Sequence, residues 1–369
     1  MTANDTFTIC VLPGDAIGVE VMAPCLAVLE GAARRVGGFG LVFDERPAGA
    51  LFYRETGVAL PKATLDVAAR ADAILLGAMG WPDIRYEDGT EISPQIDLRM
   101  EFGLYAGVRP VRSLAGMAPV LADPRGRALD FVVIRESTEG LFASRGKGSV
   151  VDDRQAFDTM MITRDVCERL FDFSFGLARQ RKAQGGKGMV TCVDKANVFA
   201  SFAFFRKVFD ERAALFPDIR ADHAYIDATA LNLVRRPWEL DVLVTENMFG
   251  DILSDLGAGL MGGMGFAPSA DIGDRQAVFQ PCHGTAPDIA GQDKANPTAM
   301  FLSAAMMLEW LGAKHDNEAA TRAGGLIRAA VGRVFAEGAS SFETGGRDGT
   351  SALSRKVLDA LKTAEPVAR

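Results

Sequence analysis

The sequence predicts an α/β protein on three observations. Short apolar runs with strand character recur along the whole chain, helical periodicity fills most gaps between them, and 48 % of the 369 side chains are apolar. In chain order, strands are expected at Phe7 to Leu12, Ala73 to Leu76, Phe131 to Ile134, Met189 to Val193, Ala224 to Ile226 and Val242 to Val244. Amphipathic or buried helices are expected at Val19 to Arg35, Arg164 to Lys182, Phe199 to Leu215, Pro297 to Leu311 and Glu318 to Phe335. Residues 140–160 break the alternation. They read as two short strands around a Gly-rich turn, an arm that projects and pairs with another subunit.

The length suggests two domains, yet no Pro/Gly/Ser linker or repeat divides the chain. The expectation is therefore two interleaved α/β domains, each with its own open sheet, around a cleft. The apolar content argues against disorder, and no uncharged apolar run approaches the roughly 20 residues of a membrane span. Met1 to Thr8 holds Asp5 and no basic cluster, and the apolar stretch behind it breaks at Pro13, Gly14 and Asp15, unlike an export signal. Five scattered cysteines with no CxxC pair fit buried thiols in a reducing cytoplasm, the expected location.

A net charge of −8 disfavours unspecific binding to nucleic acid or anionic lipid, so neither nucleic acid nor membrane is an expected partner. An acidic ligand then needs a local basic pocket. The three histidines, His223, His283 and His315, lie far apart, which points any metal toward carboxylates and hence Mg²⁺ or Mn²⁺ rather than zinc. Gly257, Gly259 and Gly262 spell GxGxxG, but they follow the helical stretch DILSDL and read as its exit, not as a nucleotide loop. RGKGS lacks Walker A spacing, and there is no GxSxG elbow.

Four stretches carry chemistry. In NMFGDILSD, after the strand DVLVT, Asp251 and Asp255 are four apart. On a helix this puts both carboxylates on one face, roughly 5–6 Å apart at Cβ, which suits one divalent cation and equally a solvated face. LRMEFGLYAGVRP and VVIRE supply Arg99, Arg109 and Arg135, whose guanidinium forks suit a di- or tricarboxylate and, taken singly, surface ion pairs. Lys195 in VDKANV follows an apolar strand, as a general base or a salt-bridged lysine would. CHGTAPDIAGQDKANP packs turn formers ahead of a helix and reads as a ligand loop that could face a phosphate or an adenosine.

Together these stretches resemble the β-decarboxylating dehydrogenase family, that of isocitrate, isopropylmalate, homoisocitrate and tartrate dehydrogenases. LPGDAIGVEV, LLGAMGWP, Arg99 followed ten residues on by Arg109, VIRESTEG, VDKANV, YIDATAL, NMFGDILSD and HGTAPDIAG with ANP occur in the family's order over residues 9–311. The resemblance implies an isopropylmalate dehydrogenase-like fold, with residues 1–104 and 262–369 forming the cofactor domain. Residues 105–261 would form the substrate, metal and dimerisation domain. Arg99, Arg109 and Arg135 match the arginines that grip the malate moiety. Asp251 and Asp255 match metal ligands, joined by Asp227 from the second subunit, and Lys195 matches a proton-transferring residue also donated across the dimer. His283, Gly284, Ala286, Asp288, Ile289 and Asn296 match adenosine-side positions. Asp288 with Ile289 is the pair of NAD-dependent members, since an acid binds ribose hydroxyls and repels a 2′-phosphate. The implied enzyme is a homodimer with shared sites that oxidises a 3-substituted malate with NAD and a divalent cation, then decarboxylates it.

Several positions depart from the family pattern. Phe142 stands where a tyrosine is assigned to enolate protonation, so the resemblance leaves open oxidation of a tartrate- or malate-type acid without decarboxylation. Ser93 and Gln95 stand where isocitrate-type members meet a polar 3-substituent; facing an isopropyl group they would each lose a hydrogen bond, at about 1–3 kcal/mol. A polar 3-substituent is therefore favoured. Ala16 and Val19 depart in the opening turn, and Gln280 replaces a common Glu near the nicotinamide. A noncatalytic regulatory subunit is the remaining alternative, against which retention of every charged site position argues.

Overall fold

A computed structural model describes residues 5–365; of the segment read as unlike an export signal, residues 1–4 lie outside that range. The first third of the chain runs β1 (Asp5–Gly14), α1 (Ile17–Val36), β2 (Phe39–Glu45), α2 (Ala50–Thr56), α3 (Lys62–Arg70), β3 (Ala73–Ala78) and α4 (Pro94–Phe102). The middle runs β4 (Ala106–Arg112), β5 (Asp130–Glu136), β6 (Ser149–Val151), β7 (Gln155–Phe157), α5 (Arg164–Ala183), β8 (Met189–Asp194), α6 (Ala200–Ala213), β9 (Arg220–Tyr225), α7 (Ile226–Arg235), β10 (Val242–Thr245) and α8 (Asn247–Met261). The last third holds β11 (Pro268–Ile272), β12 (Ala277–Pro281), α9 (Thr298–Lys314), α10 (Glu318–Ala336) and α11 (Thr350–Leu361).

Instead of one sheet per domain, a single ten-stranded sheet runs through the molecule in the order β2-β1-β3-β12-β11-β4-β5-β10-β8-β9. β2, β1, β3 and β12 are parallel, as are β5, β10, β8 and β9, but β11 pairs antiparallel with both β12 and β4, and β4 antiparallel with β5. The two parallel blocks thus point in opposite directions, and the reversal falls at the centre of the sheet. β3 and β10 are buried along their whole length, as strands covered on both faces must be. Helices α1, α9, α10 and α11 pack together over the first block, while α5 and α6 cover β8.

The helix expectations hold to within a few residues, and DILSDL lies in α8, whose final turns contain Gly257 and Gly259 and whose left-handed cap is Gly262. Those glycines therefore do end a helix. The hairpin of the arm is real but shifted. β6 and β7 pair around Asp152 and Asp153, both at positive φ, and the Gly-rich RGKGS precedes β6 rather than forming the turn. Every residue of β6 and β7 is exposed.

Candidate active site

The arginines converge because the central strands bring them to one face. Arg135, Gly107 and Asp271 are directly opposed across β5, β4 and β11, and Arg109 lies two residues along β4 from Gly107. Gly107 leaves the room: a Cβ there would come within 2.6 Å of Ser137 Oγ and 3.1 Å of Asp271 Oδ1. Arg99 arrives from α4. Gly250 lets α8 press against Arg135, since a Cβ at that position would lie 2.6 Å from the Arg135 Cβ. Arg99, Arg109, Arg135, Asp251 and Asp255 all line one cleft, with Gln95, Gln280, His283 and Gly284.

At the back of this cleft is a carboxylate that motif reading did not single out. Asp271 is fully buried and accepts from Arg99 Nε at 2.9 Å, Arg109 Nη2 at 2.9 Å and Gln280 Nε2 at 3.0 Å. Burial pushes its carboxyl up, but the guanidiniums of Arg109 and Arg99 outweigh that and hold it below the usual carboxylate range. Arg109 Nη1 is also taken, by the Ala270 carbonyl at 2.9 Å. Arg99 differs: among the described residues its two Nη groups donate to no protein atom. Arg135 donates from Nε and Nη2 to Asn247 Oδ1, at 2.9 and 2.7 Å, and from Nη1 to Asp251. Burial and the nearby Arg99 charge lower its pKa to about 10. Asn247 and Asp271 thus orient the trio. An aspartate inside the apolar run FAPSADIG was the available signal for Asp271, because a buried strand carboxylate demands a cationic partner.

Asp251 and Asp255 sit one turn apart on α8, whose N-terminus is capped by Glu246 accepting from Met248 N and Phe249 N. Asp255 forms no ion pair among the described residues, and burial, then the charge of Asp251, raises its pKa. Two carboxylates on a cleft wall, one of them uncompensated, fit a divalent cation. Among the described residues no three His, Cys, Asp or Glu side chains are grouped to hold a metal, so one chain supplies two of the expected ligands.

Lys195 and Asp227 are not brought into the cleft. Lys195 Nζ donates to Asp227 Oδ1 at 2.5 Å, and Asp227, 69 % exposed, carries a pKa lowered by that bond. Ser93 is buried with its hydroxyl turned to the Glu91 carbonyl at 3.4 Å, away from the cleft lining. Gln95 does line the cleft, and its Oε1 is buried with no hydrogen-bond partner. The Phe142 ring lies 5.0 Å from the Arg135 guanidinium, an aromatic face with no hydroxyl to offer.

The loop from Cys282 to Pro297 adjoins the cleft through His283 and Gly284. His283 Nδ1 contacts the Gly284 carbonyl at 2.8 Å, Nε2 is buried without a partner, and burial keeps the ring neutral by lowering its pKa. Ala286 sits at φ 38°, Asp288 is exposed, and Ala286 and Ile289 pack on the core. Asn296 is committed within the protein, donating to Glu343 at 3.2 Å and accepting from Thr298 N at 3.2 Å. Glu20 accepts from Gly291 N at 2.9 Å and from the Thr350 hydroxyl at 2.5 Å, tying the loop to α1 and α11. A neutral imidazole with an unpartnered nitrogen and an exposed acid on the same loop fit the polar edge of a nucleoside.

Three guanidiniums and a pair of acids on one cleft, with the 282–297 loop adjoining it at the reversal of one sheet, form a dehydrogenase-like site for small acids. The family model described as isocitrate/isopropylmalate dehydrogenase matches residues 8–359. The 3-isopropylmalate/3-methylmalate dehydrogenase of Methanocaldococcus jannaschii is 41 % identical over 355 residues, 96 % of this chain and 98 % of that one. The 3-isopropylmalate dehydrogenase of Moorella thermoacetica is 42 % identical over 339 residues, 90 % of this chain and 91 % of that one. Among solved structures, isocitrate dehydrogenase from Methylococcus capsulatus superposes with TM-score 0.84 at 33 % identity, covering 97 % of this chain and 100 % of that one. The chain belongs to the isocitrate/isopropylmalate dehydrogenase family and is an oxidoreductase.

Proposed function

We propose that the chain is an NAD-dependent, Mg²⁺- or Mn²⁺-requiring dehydrogenase of a 3-substituted malate that also releases the 3-carboxylate as CO₂. The observation that carries this is the convergence of Arg99, Arg109 and Arg135 with Asp251 and Asp255 on one cleft beside the His283 loop. When bound, the cation would acidify the 2-hydroxyl and polarise the 2-oxo carbonyl, and the nicotinamide would take the hydride. Asp251 and Asp255 would hold the cation, and His283, Gly284, Ala286, Asp288, Ile289 and Asn296 would line the adenosine side of NAD.

The free Nη groups of Arg99 can grip a carboxylate, with Arg109 and Arg135 held rigidly behind it by Asp271 and Asn247. Lys195, half-buried, and Asp227, exposed, lie away from their own chain's cleft and are offered to the cleft of a second copy. There Asp227 would complete the metal set and Lys195 would take the hydroxyl proton. The exposed arm of β6 and β7 supports such a dimer. Division into residues 1–104 with 262–369 and residues 105–261 would let the cleft close and exclude water.

Gln95 Oε1, an unpartnered acceptor, supports a polar 3-substituent, whereas the relatives named for 3-isopropylmalate make the apolar one its rival. Phe142 favours a second reading, oxidation without decarboxylation, because no phenol stands over Arg135. The test is a panel of 3-substituted malates with Mn²⁺ and NAD, following NADH and CO₂ together. Highest kcat/KM on isopropylmalate would reject the polar preference, and equal NADH and CO₂ at full rate would reject the second reading. No NADH from any malate, with ligand still bound in titration calorimetry, would favour a regulatory subunit.

A further inference from the structure

The cleft contains its own counter-charge. Three guanidiniums, Arg99, Arg109 and Arg135, are matched by three carboxylates, Asp251, Asp255 and the buried Asp271, so the side chains of one copy sum to zero. Lys195 and Asp227 are a neutral pair wherever they dock. A divalent cation on Asp251 and Asp255 would add two positive charges, which the two carboxylates of a malate core balance. Counting side chains and the metal alone, a third carboxylate on the substrate would be left without a cation, in the binary complex that forms before NAD enters. Gln280, which also lines the cleft, is uncharged and gives one of its amide N–H groups to Asp271 at 3.0 Å. Gln95, on the same cleft wall, is an uncharged amide and offers no cation either.

We infer that Asp271 is a specificity-determining positioning residue that restricts the cleft to malates with an uncharged, hydrogen-bonding 3-substituent and rejects tricarboxylates. It acts through Arg99 and Arg109, whose forks it partly fills and whose combined charge it halves. This inference rests on the reading of the cleft as a malate site. Taken alone, the repulsion between Asp271 and a carboxylate roughly 8 Å away, at an effective dielectric near 20, offsets more than about tenfold of the binding that the guanidiniums would otherwise give that carboxylate.

A matched pair of substrates tests it: 3-carboxymethylmalate and its amide, 3-carbamoylmethylmalate. The wild-type enzyme is expected to prefer the amide by about tenfold or more, in kcat/KM and in Kd measured calorimetrically with Mn²⁺ and no NAD. Asp271→Asn, with folding checked by circular dichroism, should move both ratios at least about tenfold toward the tricarboxylate. A purely structural role would weaken both ligands alike and leave the ratios fixed, which overturns the inference. So does a wild-type preference for the tricarboxylate, a result that needs no variant to fold. If neither of these two substrates nor 3-isopropylmalate binds or reacts, the malate reading itself fails; if isopropylmalate reacts and these two do not, or if both of them do so equally well in the wild type, the inference alone fails.

Discussion

Two groups of charges in this molecule are treated in opposite ways. Around Asp271, two guanidiniums and an amide are buried and joined by bonds of 2.9–3.0 Å. Lys195 and Asp227 form their ion pair in the open, with Asp227 69 % exposed. The buried group is complete within one chain, and its cost of desolvation is offset by hydrogen bonds on every side. The exposed pair contributes little to folding, so its placement asks for another explanation, and in the proposed dimer a second copy would supply it.

The comparison breaks most easily at the exposed pair. We expect Lys195→Met to lower kcat by about a thousandfold while leaving Tm unchanged, and Asp251→Asn to abolish activity from the other side of the site. Mixing and refolding the two inactive chains should restore activity, because a hybrid dimer holds one intact site; no recovery would mean that each cleft works with its own residues. The buried group should respond inversely. Arg109→Met leaves Asp271 with one guanidinium and should cost about 3 kcal/mol in urea unfolding, a loss that Asp227→Asn should not show.

Acid titration sharpens the same contrast. The folded Asp271 carboxyl is held below its unfolded value, so its stabilisation is complete above about pH 3.9 and is lost as pH falls through the depressed folded value. The stability difference between wild type and Asp271→Asn should stay level from pH 7 to 5 and shrink only in strong acid. Phe142→Tyr places a phenol over Arg135 and should raise CO₂ released per NADH if enolate protonation limits that step; an unchanged ratio assigns the proton elsewhere. The smallest effect is expected outside both groups. Ala16 is held at φ 48° and ψ −120°, and Ala16→Gly should stabilise the protein by about 1 kcal/mol, read as a small rise in Tm.

The parts of this structure that short-range pattern reveals were legible, and those set by distant pairing were not. β1, β3, β5, β8 and β10 announce themselves as apolar runs because they are covered on both faces. β4 does not, since AGVRPVR alternates arginines with small residues. Its Pro110 lies beyond the segment that β11 pairs, where a missing N–H is tolerated. Asp251 and Asp255 could be read as neighbours because helical spacing alone joins them. Asp271 reaches Arg99 and Arg109 across 172 and 162 residues of chain, and no local period encodes that meeting. Ser93 shows the converse, a motif position whose hydroxyl the local backbone claims before any ligand could.

Glu20 has a practical consequence. One carboxylate clamps the tip of the 282–297 loop at Gly291 and the first residue of α11 at Thr350, so α1 and α11, far apart in sequence, together brace the loop proposed to face the nucleoside. Trimming the chain back past α11, or engineering a circular permutation there, would loosen that brace and should surface as weakened nucleotide affinity long before the central strands lose their order.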